Sequence, residues 1–399
     1  MAAKWAGRAV IVLLSAFLAW SIVVQLAIAR LPAPAASRLA PDSPTVQAGL
    51  AEIELQAGRY DRAETLARQA LARQPFNVNA LVIVGLALDH RGEVAAADEI
   101  LTLAGNWSLG DQRTHLWLFD RRLRAGESAS ALAHLDALLR SQPDRRRDLF
   151  ELLQELTLAD PAILTATNDR LALAPNWRAP FLAHLGGSDN GRGVATTIAV
   201  ALHAARKDLT QAETESLLQA LLASRDYERL RILAAQIGVG PRPAALIDTD
   251  FEGAESPLPF RWNLLGGAGA TAEIVADPQT NSKVLRVQYD GYSGDELVRQ
   301  LILLPAGSYR LTGQAAFDGD EERLRWAVRC LESGVDLQLR NGAAAAGDGE
   351  TFTEVFDVPA AGCNLQWLHL TTDPTERRSE VIATYDNLTI TPLGSSAAR

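Results

Sequence analysis

The residues able to do chemistry are few and scattered along the 399-residue chain. His90, His115, His134, His184, His203 and His369 have no second ligand at metal-binding spacing, so helical surface or cap roles are expected for most of them. A Gly-x-Ser-x-Gly elbow, a Walker loop and a His-Glu-x-x-His pair are all missing. Gly266, Gly267 and Gly269 make one glycine-rich stretch, but strand-like residues follow it, whereas a phosphate cradle needs a helix N-terminus. An acidic run, Asp318, Asp320, Glu321 and Glu322, reads as a solvated turn, with cation binding or acid/base work as the sharper alternatives. What remains is a set of planar rings and polar forks, the combination that grips hydroxylated or acidic ligands. Trp262, Tyr292, Trp326 and Trp367 supply the rings, and Arg299, Gln300, Arg325, Arg329 and Gln366 the forks. Strand alternation places Leu324, Trp326, Val328 and Cys330 on one face, so Trp326 is expected in a core and Arg325 and Arg329 on the opposite face.

These residues sit in the second of two differently patterned regions. The net charge is -10, and it is uneven: residues 248–399 carry 12 Lys/Arg against 23 Asp/Glu, residues 1–246 carry 26 against 25. Such a balance argues against a nucleic-acid binder, which needs a basic stripe to displace counterions from phosphates. From residue 246 to 393 the hydrophobic period is two. The segments "KVLRVQYDG", "ELVRQLILL", "GSYRLTGQAAF", "LRWAVRCLES", "FTEVFDVP", "NLQWLHLTT" and "VIATYDNLTITP" are short strands between turn residues, and seven or eight of them call for a two-sheet sandwich. Both cysteines, Cys330 and Cys363, lie here. Paired in an oxidising compartment they would close a sizeable loop, worth about 3 to 4 kcal/mol in the chain-entropy model; the other reading is two separately buried thiols.

The first region is helical and periodic. Gly58, Gly92 and Gly126 recur every 34 residues, as do Ala63, Ala97 and Ala131, and Pro75 and Pro143 differ by twice that interval. Glycine permits the left-handed cap that ends a first helix, and the alanines let two helices approach closely. Three clear repeats fall at 44–77, 78–111 and 112–145; 146–240 reads as degenerate hairpins that continue and cap the array, with "GGSDNGRG" at 186–193 as one long polar loop. The segments "LQAGRYDRAETLARQALARQP", "DHRGEVAAADEILTLAG" and "RAGESASALAHLDALLRSQP" resemble tetratricopeptide repeats, which implies a concave face that binds a protein partner.

Ahead of the helices, residues 9–29 are apolar and uncharged, flanked by Lys4, Arg8 and Arg30. Residues 1–30 are therefore expected to form a transmembrane anchor with a cytoplasmic N-terminus and the bulk of the chain periplasmic; a cleaved signal peptide with a soluble periplasmic product is the competing reading. Residues 31–43, rich in Pro and Ala, read as a semi-extended spacer.

The second region is similar to the galactose-binding-like jelly roll of carbohydrate-binding modules. "DTDFEG" followed by Pro259-Phe260-Arg261-Trp262, the central "RQLILLPAGSYRLTGQA" and the closing "YDNLTI" carry the resemblance. It implies glycan binding, with Arg299, Gln300, Arg325, Arg329, Trp262 and Tyr292 as ligand-facing residues, and a structural Ca2+ at Asp250, Glu252 and Asp386 in matching segments. The expectation is thus a multidomain chain: a transmembrane helix, an all-α tetratricopeptide-like solenoid and a C-terminal all-β jelly roll. Functionally it is a non-enzymatic adaptor that joins a protein partner to a polysaccharide at the inner membrane, similar to accessory components of exopolysaccharide or O-antigen assembly and export. The alternatives are an envelope glycan-processing enzyme with a targeting module, or a purely structural scaffold.

Overall fold

The computed structural model describes residues 14–15, 17–23, 26, 30–241, 246–278, 281–292, 294, 296–319, 321–341, 351–375 and 380–393. The chain divides into two compact units, Met1–Trp177 and Arg178–Arg399.

In the first unit consecutive helices pack as hairpins: Pro44–Gln56 with Tyr60–Arg73, Val78–His90 with Val94–Trp107, and Gln112–Arg124 with Ser128–Ser141. Gly58, Gly92 and Gly126 end the first helix of each pair at φ of 72°, 80° and 75°, a conformation that costs an L side chain about 1 kcal/mol or more. The residue after each glycine donates its N–H back to the carbonyl five positions earlier, as in Arg59 to Glu54, Glu93 to Leu88 and Glu127 to Arg122, closing the helix end. Ala63, Ala97 and Ala131 are fully buried, as are Ala70 and Ala104. The 34-residue interval also sets polar stitches. Asn77 and Asp111 accept from Ala80 N and Thr114 N as N-caps, and Arg113 reaches Asn79 at 2.7 Å and Glu52 at 2.6 Å across neighbouring helices.

The stretch 31–43 is folded: Ala33–Ala36 forms a helical turn, and Ala36 is buried against Val46. The single-pass inner-membrane placement, with a cytoplasmic N-terminus and a periplasmic bulk, is not retained. Among the described residues no helix is long and apolar enough to cross a membrane. The longest unbroken described part of the apolar run is 17–23, about 10 Å at 1.5 Å per residue, against a hydrocarbon core of about 30 Å. Residues 1–13, 16, 24, 25 and 27–29, on which the anchor and signal-peptide readings largely fall, lie outside the described residues.

The second unit begins inside the segment read as one helical array. Helices Arg178–Gly186, Asp189–Ala204, Gln211–Ala223 and Tyr227–Ile237 belong to it together with the sandwich. Two interactions explain the grouping. Arg178 forms a buried bidentate pair with Glu213, which also closes a capping box with Thr210. One helical turn portion further on, Glu215 accepts from Leu258 N and from Arg261 of the sandwich entry segment. The polar stretch 186–193 is shorter as a loop than its composition suggests, because Ser188 caps a helix that starts at Asp189 by accepting from Gly191 N.

The sandwich has two antiparallel sheets. One is ordered β1-β4-β10-β6-β7, from β1 (Asn263–Leu264), β4 (Glu296–Ile302), β10 (Gln366–Thr372), β6 (Leu324–Cys330) and β7 (Asp336–Leu337). The other is ordered β2-β3-β11-β5-β9-β8, from β2 (Ala270–Ala276), β3 (Lys283–Tyr289), β11 (Val381–Pro392), β5 (Gly307–Asp318), β9 (Thr351–Val358) and β8 (Arg340–Asn341). Between them lies a core of Leu285, Val287, Tyr289, Leu311, Trp326, Val328, Phe356, Leu368 and Tyr385, among others. Cys330 and Cys363 form a disulfide, with Cα atoms 4.8 Å apart, that ties the end of β6 to the segment entering β10.

Candidate functional site

Strand β10 is central in its sheet, so the side chains of its outward face are neighbours of both β4 and β6. His369 stands opposite Arg299 and Ala327, Trp367 opposite Leu301 and Arg329, and Thr371 opposite Glu296 and Arg325. The register shifts between Leu370 and Thr371. This bulge matters chemically: it turns Leu297 into the core and brings Glu296, which plain alternation would set opposite to Arg299, onto the same face as that arginine. Beyond β6, Asp336 of β7 pairs across from Arg329.

The outward face therefore gathers Arg299, Arg325 and Arg329, but not as an unopposed positive patch. Arg329 holds Asp336 through two hydrogen bonds of 2.7 and 3.1 Å and lies 3.9 Å from Glu296; Arg299 Nη1 is 3.4 Å from Glu296. The bidentate pairing with Arg329 holds the Asp336 carboxyl below its ordinary range. The Arg299 guanidinium covers the Trp367 ring, its Cζ 4.5 Å from the centroid. In the middle sits His369, 2% exposed, its Nδ1 3.7 Å from Glu296 and its Nε2 3.7 Å from Asp336. Among the described residues neither ring nitrogen has a partner within hydrogen-bond distance, and the Asp336 contact at 3.7 Å is a long one. Burial holds this imidazole below its ordinary pKa, against the pull of the two carboxylates.

Other residues expected at a ligand face lie elsewhere. Gln300 is fully buried and bonds the backbone of Ile247 from both ends of its amide, clamping the chain that enters the sandwich. Trp262 is core: it packs against Phe251 and Trp326 and donates Nε1–H to Asp248 O. Gln366 is likewise buried, bonded to Leu304. Tyr292 is 55% exposed, in the β3–β4 connection and not on the sheet face. The residues that sequence reasoning passed over are Glu296, Asp336 and His369 as members of the face; the outward parity of His369 with Trp367 could have found the histidine, whereas the two carboxylates come from other strands.

The acidic corner is a separate matter. Asp386 lies near Asp250, Glu252 and Asp277, and burial together with these charges raises its pKa. Glu252 is engaged by the backbone N of Lys283 at 2.7 Å, and Asp386 by Asn387 N. Among the described residues no group of three or more His, Cys, Asp or Glu side chains is arranged to hold a metal ion. Of the acidic run, Glu321–Arg323 forms one turn of 3-10 helix and Asp318 ends β5; Asp320 and the Glu321 side chain lie outside the described residues.

Two histidines that share no motif meet in the first unit. His115 Nδ1 and His134 Nδ1 are 3.1 Å apart, and His115 Nε2 is 3.1 Å from Ser108 O. Since a carbonyl only accepts, Nε2 of His115 carries the hydrogen, its Nδ1 accepts, and His134 Nδ1 donates. The ring centroids are 5.4 Å apart, the separation of two rings whose facing nitrogens point head-on, which suits one N–H···N bond and not convergent metal ligation.

No protein-family pattern matches the chain, and no curated protein is similar to it by sequence. Among solved structures it is similar to TmCBM61 in complex with β-1,4-galactotriose, at 15% identity over 38% of this chain and 100% of that one, TM-score 0.24. The family 11 carbohydrate-binding module of cellulosomal cellulase Lic26A-Cel5E of Clostridium thermocellum is 15% identical over 38% and 97%, TM-score 0.24. The enzymatically active domain of tailspike protein 4 of bacteriophage CBA120 is 13% identical over 38% of this chain, which spans only 22% of the tailspike chain, TM-score 0.25. Scores of this size carry neither fold nor ligand over to the present chain.

Proposed function

We propose that the protein is a non-enzymatic adaptor whose sandwich binds a glycan on the outward face of β4, β10, β6 and β7, and whose tetratricopeptide-like hairpins bind a protein partner, in polysaccharide assembly or export. The observation that supports the glycan reading best is the half-buried Trp367 ring, one face under the Arg299 guanidinium, set beside the fork of Arg329 and the carboxylates of Glu296 and Asp336. An apolar ring plane beside paired donors and acceptors suits the two faces of a pyranose. The partner reading draws on Phe76 and Trp107, exposed at the ends of successive hairpins with ring centroids 5.3 Å apart, and on exposed Leu109 beside them in sequence.

Calorimetry of the full chain against neutral and acidic oligosaccharides tests the glycan reading. Binding is expected, and Trp367→Ala should weaken it at least tenfold while leaving the circular dichroism spectrum unchanged. Absence of heat across both classes, or binding indifferent to Trp367→Ala, would overturn it.

A further inference from the structure

Neutral His369 is a poor occupant of its position. It offers one N–H, and both carboxylates it faces are 3.7 Å away, beyond hydrogen-bond reach, because each is already drawn to an arginine. A buried ring with neither nitrogen satisfied is an uncommon arrangement. The charged groups facing it are Glu296 and Arg299 from β4, Arg329 from β6 and Asp336 from β7, two of each sign, with Arg325 further along β6.

We infer that this face takes an acidic sugar, its carboxylate held by Arg299 and Arg329, and that proton uptake by His369 turns the site on. The inference rests on the glycan reading above and adds ligand class and control to it. A protonated ring has two N–H groups, one directed at Glu296 and one at Asp336, and closing either 3.7 Å gap gives a charge-assisted hydrogen bond. Both carboxylates then satisfy the imidazolium. The arginines that held them keep five N–H donors each, in a fork matched to another carboxylate. Charge arithmetic runs the same way: around the ring Arg299, Arg329, Glu296 and Asp336 sum to zero, so the proton on His369 supplies a net positive charge there, added to that of Arg325 further along the same face. Burial lowers the pKa of His369, so the ring of the free face stays neutral into the range where an ordinary imidazole takes up a proton, and an anionic ligand and the proton each help the other to bind. A uronic acid carboxyl, with pKa about 3 to 4, stays ionised throughout.

The test is calorimetry of the full chain with trigalacturonate and with β-1,4-galactotriose as the neutral probe, at pH 5 and pH 8. Trigalacturonate is expected to bind at least tenfold more tightly at pH 5, galactotriose within twofold at both. His369→Gln should leave trigalacturonate affinity pH-independent within twofold, and Arg329→Gln should remove the preference for the acidic trimer. A second readout stands if His369→Gln fails to fold: in the wild-type chain with 13C-labelled histidine, trigalacturonate should move the His369 titration upward by at least half a pH unit. Binding of galactotriose without tighter acidic binding at pH 5, or a His369 titration unmoved by trigalacturonate, overturns this inference and leaves the glycan reading standing. Failure of both trimers to bind overturns both.

Discussion

Buried imidazoles appear in both units, and they are treated in opposite ways. In the helical unit His115 and His134 use three of their four ring nitrogens on each other and on Ser108 O, linking two helices of a hairpin to the end of the helix before it. In the sandwich His369 uses none, although two carboxylates stand within 4 Å. The same contrast extends to the surroundings. The helical unit is closed by small side chains and repeated caps, and its ion pairs such as Arg122 with Asp98 are complete. The sandwich leaves Trp326 Nε1, Tyr385 Oη and Glu354 Oε2 buried without partners as well. Buried polar atoms short of a partner occur in the first unit too, at Gln47 Oε1, Arg121 Nε, Thr167 Oγ1 and Asn168 Oδ1, so the difference lies in the imidazoles: paired in one unit, and held between two carboxylates without a hydrogen bond in the other.

The sharpest way to break this comparison is to remove the covalent tie of the sandwich. Replacing Cys330 and Cys363 with Ala should cost the second unit about 2 to 5 kcal/mol and leave hydrogen exchange in helices 44–141 unchanged. Equal loosening of both units would show that they do not have separate sources of stability. In the helical unit the corresponding weak point is a fully buried alanine between helices. Ala97→Leu should destabilise that unit by about 1 to 3 kcal/mol by overpacking, read from denaturant midpoints, while oligosaccharide affinity stays the same.

Local pattern carried the helical unit almost entirely: the glycine and alanine intervals place the left-handed caps and the close contacts because both are decided within one 34-residue span. It carried the seven longer alternating strands too. Of β2 it showed only strand-like residues after Gly269, because its small residues alternate weakly, and it missed the two-residue strands β1, β7 and β8. Three other features depend on distant partners and left no local trace. The unit boundary at Trp177/Arg178 follows from Arg178 meeting Glu213 and from Glu215 meeting the sandwich entry. Glu296 joins the ligand face only through a bulge in the pairing of β4 with β10. Gln300 looked like a ligand-binding amide, and its outcome was decided by Ile247, 53 positions away.

Glu354 offers a smaller test on the sandwich side. It stands on the strand face of Phe352 and Phe356, and burial pushes its carboxyl up to about 7, Arg325 opposing. A carboxyl raised in the folded state favours folding fully below the unfolded value of 4.5, and that advantage is lost as pH rises from there to about 7. Glu354→Gln should therefore raise the melting temperature of the second unit by a few degrees at pH 8, on the order of 1 kcal/mol after allowance for solvent screening, and change little at pH 4.5. An equal gain at both pH values would point to packing and not to charge.

The helical histidines give the smallest effect and the opposite slope. Burial lowers His134 to about 4 and also lowers His115. A depressed imidazole pKa means that the unfolded chain binds the extra proton first, so stability is complete above 6.5 and falls as pH drops from there toward 4. Hydrogen exchange in helices Gln112–Arg124 and Ser128–Ser141 should accelerate between pH 7 and pH 5 after correction for intrinsic rates. In His134→Gln the amide still donates toward His115 but takes up no proton, so the slope should shrink. An unchanged slope in His134→Gln would show that His134 takes no part in the pH dependence and leave it to His115, whose imidazole burial also lowers.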